Sequence, residues 1–247
     1  LFRSVVDNIG EQKSDYIKNP KLRQFITNFR LLTANKVSTI GAAVLLLLLI
    51  TAIFAPSFAT HDPLKINSNK SLLPPSSEHY FGTDDLGRDI YSRVVYGGRI
   101  SILVGLSSAG ISLALGLTLG LISGYYGKAI AFSILRLMDL LLAFPNILLA
   151  IVVIAILGPG LNNVIIAVGI SATPTFTRVI YGSVLSLKEN DYIDAARMVG
   201  ASHTRIIMKH ILPNVIAPVI VMFTLQVGAA IFAASSLSFI GLGAQPP

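Results

Sequence analysis

Uncharged, largely apolar residues fill four stretches of the chain: 37–59, 100–127, 140–177 and 211–247. About 20 apolar residues suffice for a helix to cross a bilayer, so each stretch is long enough. The third is too long for one crossing. Gly158-Pro159-Gly160 interrupts it, and Asn162-Asn163 follows, a combination that signals a tight turn. The pattern predicts five spans, near 37–58, 99–124, 131–157, 162–182 and 214–240, and an all-α integral membrane protein. It also divides the chain into an amino-terminal segment (1–35), a first span with its following loop (36–98), and a core (99–247) that contains a polar loop at 184–213.

Within the polar amino-terminal segment, Asn19-Pro20 suits a helix start. Leu22, Phe25, Ile26, Phe29 and Leu32 then share one helical face, with Lys21, Arg23 and Arg30 elsewhere around it. Such a basic amphipathic helix fits a membrane surface, or the protein's own loops. The second span repeats a small residue every four positions at Gly116, Gly120 and Gly124, so this face should lie against another helix. Pro145 predicts a kink in the third span. Arg136 and Asp139 are three residues apart on that span and are expected to pair, as a structural or gating ion pair in preference to a substrate or proton site. Gln226 is the strongly polar side chain of the last span, facing a pathway or bonding to a neighbouring helix.

Composition agrees with the pattern. The chain is 53% hydrophobic and 13% charged, with a mean hydropathy of +0.72; soluble domains carry about 25% charged residues. The net charge of +7 does not point to nucleic acid, because the cations are sorted by side. Seven of nineteen Lys/Arg precede residue 37 or lie at Lys36 itself, five lie between Arg178 and Lys209, and the Gly158 turn has none. Lys/Arg excess marks the cytoplasmic side. The amino end and the 182–213 loop are therefore expected inside, and the 59–98 loop and the Gly158 turn outside. The absence of cysteine excludes disulfides and thiol–metal sites. The chain begins with Leu and has no short apolar run of signal-peptide type, so it is expected to be part of a longer protein.

Two polar stretches carry candidate chemistry. In the loop after Arg178, Glu189, Asp191 and Asp194 favour the N-terminal end of a helix dipole. Ala195 and Ala196 are small and helix-forming. Gly200 permits a sharp turn, and a second helix near 202–210 ends in Lys209 and His210 before Leu212-Pro213. The expected object is a helix–turn–helix knob. The other stretch, 81–101, holds Asp84, Asp85 and Asp89 among Arg88 and Arg93. Pairing between Asp85, Asp89, Arg88 and Arg93 at helical spacing is favoured over a metal cluster, since no glycine falls where a calcium loop requires one. No metal site and no catalytic residue are expected. No Gly-x4-Gly-Lys-[Ser/Thr] occurs, so no nucleotide site is expected in the chain either.

The spacing Asp194-Ala195-Ala196, Gly200, Leu212-Pro213 resembles the EAA loop of ABC importer permeases. Asp194 stands where that family usually has Glu, and His210 where it usually has Ile. Gly82, Thr83, Asp84, Gly87, Arg88, Asp89, Ser92, Arg93, Gly97 and Arg99 resemble the segment that opens the second span in the dipeptide/oligopeptide permease family, as does Ser236–Gly243 near the end. The resemblance is to the second permease subunit of such importers and covers roughly 36–247. It implies a type I ABC importer transmembrane domain whose sixth span is missing beyond Pro247. It implies, as partners, a homologous permease, two ATPase subunits that bind ATP and Mg, an extracytoplasmic solute-binding protein and membrane lipid, with no nucleic acid. The setting it implies is a bacterial or archaeal inner membrane. Dipeptides, oligopeptides, glutathione and nickel complexes are the solutes of that family. Two rivals stand beside this reading. An ion-gradient-driven secondary transporter needs embedded titratable groups, of which Asp139 is the candidate, and usually internal repeats. A membrane scaffold would need no Gly-rich, Pro-kinked spans.

Overall fold

In a computed structural model of the chain, residues 35–243 are described; the amphipathic helix expected within 1–35 lies outside them. The described residues are helical apart from loops and one isolated bridge between Thr83 and Asp89. The chain divides into two compact units after Gly98.

In the first unit, α1 (Lys36–Ile53) starts at Asn35, whose side chain accepts the Val37 N–H at 3.0 Å. Its leucines at 45–49 are all exposed, as lipid-facing side chains of a span should be. Phe54 interrupts the helix before the short α2 (Ala55–Phe58), which has Pro56 in its first turn. The following loop contains a 3₁₀ turn at Ser68–Lys70. Helix α3 (Ile90–Tyr126) opens at Ile90, well before the expected 99. Asp89 causes the early start: its Oδ2 accepts the Ser92 N–H at 2.8 Å, capping the first turn.

In the second unit, α3 is followed by α4 (Lys128–Leu142), α5 (Asn146–Leu157), α6 (Leu161–Lys188), α7 (Asp191–Met198), α8 (His203–Ile206), a π-helical turn (Ile207–Ile211) and α9 (Leu212–Phe239). Among the described residues, four helical stretches, α1 included, are long and apolar enough to cross a membrane, or five if the bent pair α4–α5 is one span. The third span is therefore not a kinked helix. Its halves meet at 95°. Pro145 cannot donate to the Leu141 carbonyl and disfavours helical backbone at Phe144; its own ψ of 135° is extended, and α5 restarts after it.

Helix α6 is the axis of this unit. The glycine face of α3 packs against it in parallel. A Cβ at Gly116 would lie 2.3 Å from Phe176 Cβ, at Gly120 2.7 Å from Ile180 Cβ, and at Gly124 2.6 Å from Val184 Cβ. A four-residue repeat thus meets a four-residue repeat. Gly169 of α6 returns the contact, with Ile111 Cβ 2.8 Å from its virtual Cβ and its carbonyl accepting Ser112 Oγ at 2.8 Å. Because α3 and α6 run the same way, the chain between them must return once, and the bent α4–α5 pair makes that return. Apolar clusters sit at both ends of α6. One joins Phe176, Ile180 and Val184 to Ile193, Ile206, Ile211 and Val215; the other joins Val164 and Val168 to Val104, Ile154, Ala230 and Leu237.

Candidate functional site

The polar loop folds as the expected two-helix knob, with a different second half. Its first helix, α7, keeps Asp191 and Asp194 in the first turn and Arg197 in the last, as the helix dipole favours. Arg197 Nη1 donates to Asp194 Oδ1 at 2.7 Å on the exposed side. On the other side Ile193 and Ala196 are buried among the ends of α3, α6 and α9. Ala195 is exposed beside them.

Gly200 ends this helix at φ +81°. Its N–H bonds to the Arg197 carbonyl at 2.9 Å, and the Ala201 N–H bonds to the Ala196 carbonyl at 3.0 Å. These are the two bonds of a Schellman stop, which needs a left-handed residue. The stop leaves Met198 and Val199 on the outside of the turn, 89% and 85% exposed. Ser202 caps the next helix, its Oγ accepting the Arg205 N–H.

The second helix does not end at 210. It passes through the π turn at Ile207–Ile211 directly into α9. Pro213 lies in the first turn of α9. It has no N–H for the Lys209 carbonyl and its ring crowds that carbonyl, so the preceding turn widens. Asn214 Nδ2 donates to the His210 carbonyl at 2.7 Å. Leu212 packs on the apolar cluster of the knob, and Pro213 is exposed.

Polar bonds fasten the knob to the helix ends beneath it. Lys188 Nζ donates to the Tyr125 carbonyl at 2.7 Å, and Tyr125 Oη and His203 Nδ1 are 2.7 Å apart. Arg197 lies 6.0 Å above the Tyr125 ring, within cation–π range. Sequence patterning identified the two helices and Gly200, but not Tyr125 and His203, which are 78 residues apart. Met198 and Val199 also escaped it, because only the turn shows that their apolar side chains face outward.

The expected Arg136–Asp139 pair does not form. Asp139 accepts a hydrogen bond from Arg178 of α6, while Arg136 is exposed and sits 5.6 Å from the Phe132 ring centroid. Spacing of three permits a pair on one helix, but the α4–α6 packing presents a closer cation. Gln226 is half-buried in α9, and its side chain bonds to no described residue. A cleft of about 240 Å³, which Gln226 does not line, lies between Val104, Val164, Ile231 and Ser238. The turn that closes α9 is a second Schellman stop: Gly241, at φ +80°, bonds to the Ser238 carbonyl, and Leu242 bonds to that of Leu237.

In the first unit the 82–93 motif forms a hydrogen-bonded latch, and the pairing differs from the expected one. Asp84, not Asp85, is the partner of the arginines. Its Oδ2 accepts Arg88 Nε at 2.7 Å and lies 3.8 Å from Arg93 Nε, and its Oδ1 accepts the N–H groups of Leu86 and Arg88. Asp89 pairs with neither arginine: it accepts from Ser92 Oγ at 2.6 Å and from His79 Nδ1 at 2.9 Å. Burial opposes ionisation of both carboxyls, yet the Arg88 bonds to Asp84 and the Ser92 and His79 bonds to Asp89 hold each below the usual carboxylate range. Gly82 and Gly87 have φ of +74° and +72°, and a Cβ at Gly87 would lie 1.8 Å from the Asn67 carbonyl oxygen. The motif therefore folds the loop on itself and caps α3.

Comparison with known proteins finds two family matches. Residues 116–247 match the family described as binding-protein-dependent transport system inner membrane component. Residues 24–75 match the N-terminal TM domain of oligopeptide transport permease C. Among individual relatives, the dipeptide transport system permease protein DppC of Alkalihalophilus pseudofirmus is 48% identical over 219 residues, 89% of this chain and 72% of that protein. The protein of the same name from Bacillus subtilis is 37% identical over 243 residues, 98% and 76% of the two chains. The glutathione transport system permease protein GsiD of Escherichia coli O157:H7 is 43% identical over 246 residues, 99% and 80% of the two.

Proposed function

Because the chain belongs to the binding-protein-dependent transport system inner membrane component family, as a transmembrane permease subunit of a peptide-type ABC importer, we propose that the 191–213 knob is where an ATPase subunit grips it. The observation that carries this reading is the knob's construction. Met198 and Val199 project at the tip, while Ile193, Ala196, Ile206 and Ile211 anchor the same helices among the ends of α3, α6 and α9. A force on the tip therefore reaches three spans through packed side chains. The π turn joins the knob to α9 without a loop, so the displacement of the knob becomes a displacement of that span.

In this reading Asp194, Ala195, Ala196, Gly200, Leu212 and Pro213 shape the coupling surface and do not bind solute. ATP and Mg bind on two partner subunits, and this chain hydrolyses nothing. A homologous permease supplies the other half of the pathway, and an extracytoplasmic binding protein delivers the solute. The solute class is a short peptide or a peptide-like molecule such as glutathione, by analogy with the named relatives. The knob and the amino end face the cytoplasm of a bacterial or archaeal cell, following the Lys/Arg bias.

Single cysteines at Met198 and Val199 test the assignment. Each should crosslink to an ATPase subunit in the assembled transporter, with a yield that changes when ATP binds. Val199→Asp should abolish ligand-stimulated ATP hydrolysis while the permease remains in the membrane. Normal transport by Val199→Asp, with no crosslink from either cysteine, would overturn the assignment.

A further inference from the structure

His79 is a buried imidazole with only half of its hydrogen-bonding capacity used. Its side chain is 5% exposed, and its Nδ1 donates to Asp89 Oδ1 at 2.9 Å. Asp89 is itself buried and fixed by Ser92, so this carboxylate is an acceptor and sets the tautomer. In the neutral ring Nε2 then carries the lone pair. It is buried and has no hydrogen-bond partner, an arrangement that costs free energy unless something else occupies the direction of that lone pair.

Two further ligand-type side chains lie beside it. Glu78 Oε1 lies 4.0 Å from His79 Nε2. The His61 ring stacks at 4.6 Å between centroids, tilted by 32°. One ligand atom from each of His61, Glu78 and His79 falls within 4.8 Å of the other two. Adjacent ligands of a tetrahedral zinc ion stand roughly 3.3–3.5 Å apart, given bonds of about 2.0–2.2 Å. Closing the gap requires movement of His61 and Glu78, whose side chains are 36% and 60% exposed, toward the buried His79.

We propose that His61, Glu78 and His79 bind a single divalent cation of the zinc class, with Asp89 orienting His79 from behind. Two imidazoles and one carboxylate are a donor set for Zn²⁺ and its borderline neighbours, and not for Mg²⁺ or Ca²⁺, which take oxygen ligands. The carboxylate–histidine–metal relay at Asp89–His79 is the usual support for such a ligand. Three protein ligands leave a fourth position for water. The ion would tie the segment at His61 to the corner at Glu78–His79, across the base of the latch that caps α3. Lys70 now bonds to Glu78 Oε1 and competes with the ion for that carboxylate.

The test uses the assembled transporter in nanodiscs, purified without a histidine tag and stripped with a chelator. Zn²⁺ is titrated against a chromogenic competitor. His61→Ala and Glu78→Gln are compared with wild type, since both side chains are partly exposed and their loss should spare the fold. Wild type should bind one more Zn²⁺ per permease chain than either variant, or bind it at least tenfold more tightly. Zn²⁺ should also raise the Tm of the wild type and not that of His61→Ala. Lys70→Ala should bind more tightly than wild type. Equal zinc content and affinity in wild type and both variants, with equal Tm responses, would overturn the proposal.

Discussion

Single residues in this chain matter mostly through the backbone they permit or the partner they find across the fold. Gly200 holds φ +81° within a Schellman stop. A β-carbon in left-handed backbone costs about 1–2 kcal/mol, enough to shift the turn without unfolding the spans. Gly200→Val should therefore abolish transport and loosen the ATPase coupling at unchanged membrane abundance; Gly200→Asn, which tolerates this backbone, should retain most activity. Asp139 pairs with Arg178 and not with Arg136. Arg136→Gln should thus be nearly silent, Arg178→Gln should impair transport, and exchanging the charges in Asp139→Arg/Arg178→Asp should restore part of it. Equal defects from Arg136→Gln and Arg178→Gln would refute the inter-helix pair. Asp84 gives a pH dependence with a definite sign. Its carboxyl is held below its unfolded value of about 3.9, so its contribution to stability is complete above that value and disappears as pH falls through the folded one. Protease cleavage within 60–89 should rise as pH falls below about 4 in wild type, and Asp84→Asn should be readily cleaved at higher pH as well.

At the scale of elements, the parallel contact of α3 with α6 holds the second unit together. Hydrophobic burial does not bring helices together in lipid, so close backbone approach and van der Waals contact do the work. The glycines at 116, 120 and 124 meet Phe176, Ile180 and Val184 with no room for a methyl group. Gly120→Leu should lower the yield of folded transporter several-fold, and Ile180→Ala in the same chain should recover part of it by opening space opposite. Fluorescence-detected size exclusion checks both. No recovery, with the single variant normal, would mean that α3 and α6 separate easily. This face is also spent within the chain and is not open to a further helix. The 82–93 latch works the same way at shorter range: Gly87 touches the Asn67 carbonyl, and Asp89 starts α3.

For the molecule as a whole, the direction of the spans decides which loops share a side. Within the second unit the Gly158 turn and the knob lie at opposite ends of α6, a helix of 28 residues, about 42 Å long. Cysteines at Asn162 and Ser202 should therefore react with an impermeant thiol reagent from opposite faces of sealed vesicles, Asn162 from outside and Ser202 from inside. Labelling of both from one face would dismiss α6 as a crossing, and the reverse pattern, Asn162 from inside and Ser202 from outside, would dismiss the bent α4–α5 pair as one. No Gly-x4-Gly-Lys-[Ser/Thr] occurs in the sequence. Purified alone it should neither hydrolyse ATP nor accumulate peptide, and a homologous permease, two ATPases and the binding protein should restore both.

Much of this architecture is local in origin and was readable from the order of residues. Uncharged length marks the spans, Gly158-Pro159-Gly160 marks a turn, and an acidic start, Gly200 and a basic end mark the knob, because hydropathy, backbone freedom and helix dipoles act over a few neighbouring positions. The three-residue spacing of Arg136 and Asp139 was equally local, and it misled, since a cation on a packed neighbour outcompetes one on the same helix. What tertiary structure alone decided involves residues distant in the chain: Arg178 as the partner of Asp139, Tyr125 beneath His203, Asp84 and Asp89 each with its own set of partners, and His61 beside His79. The 95° break at Pro145 belongs to the same class. Proline dictates that a helix ends there, but the parallel packing of α3 and α6 dictates where the next one must go.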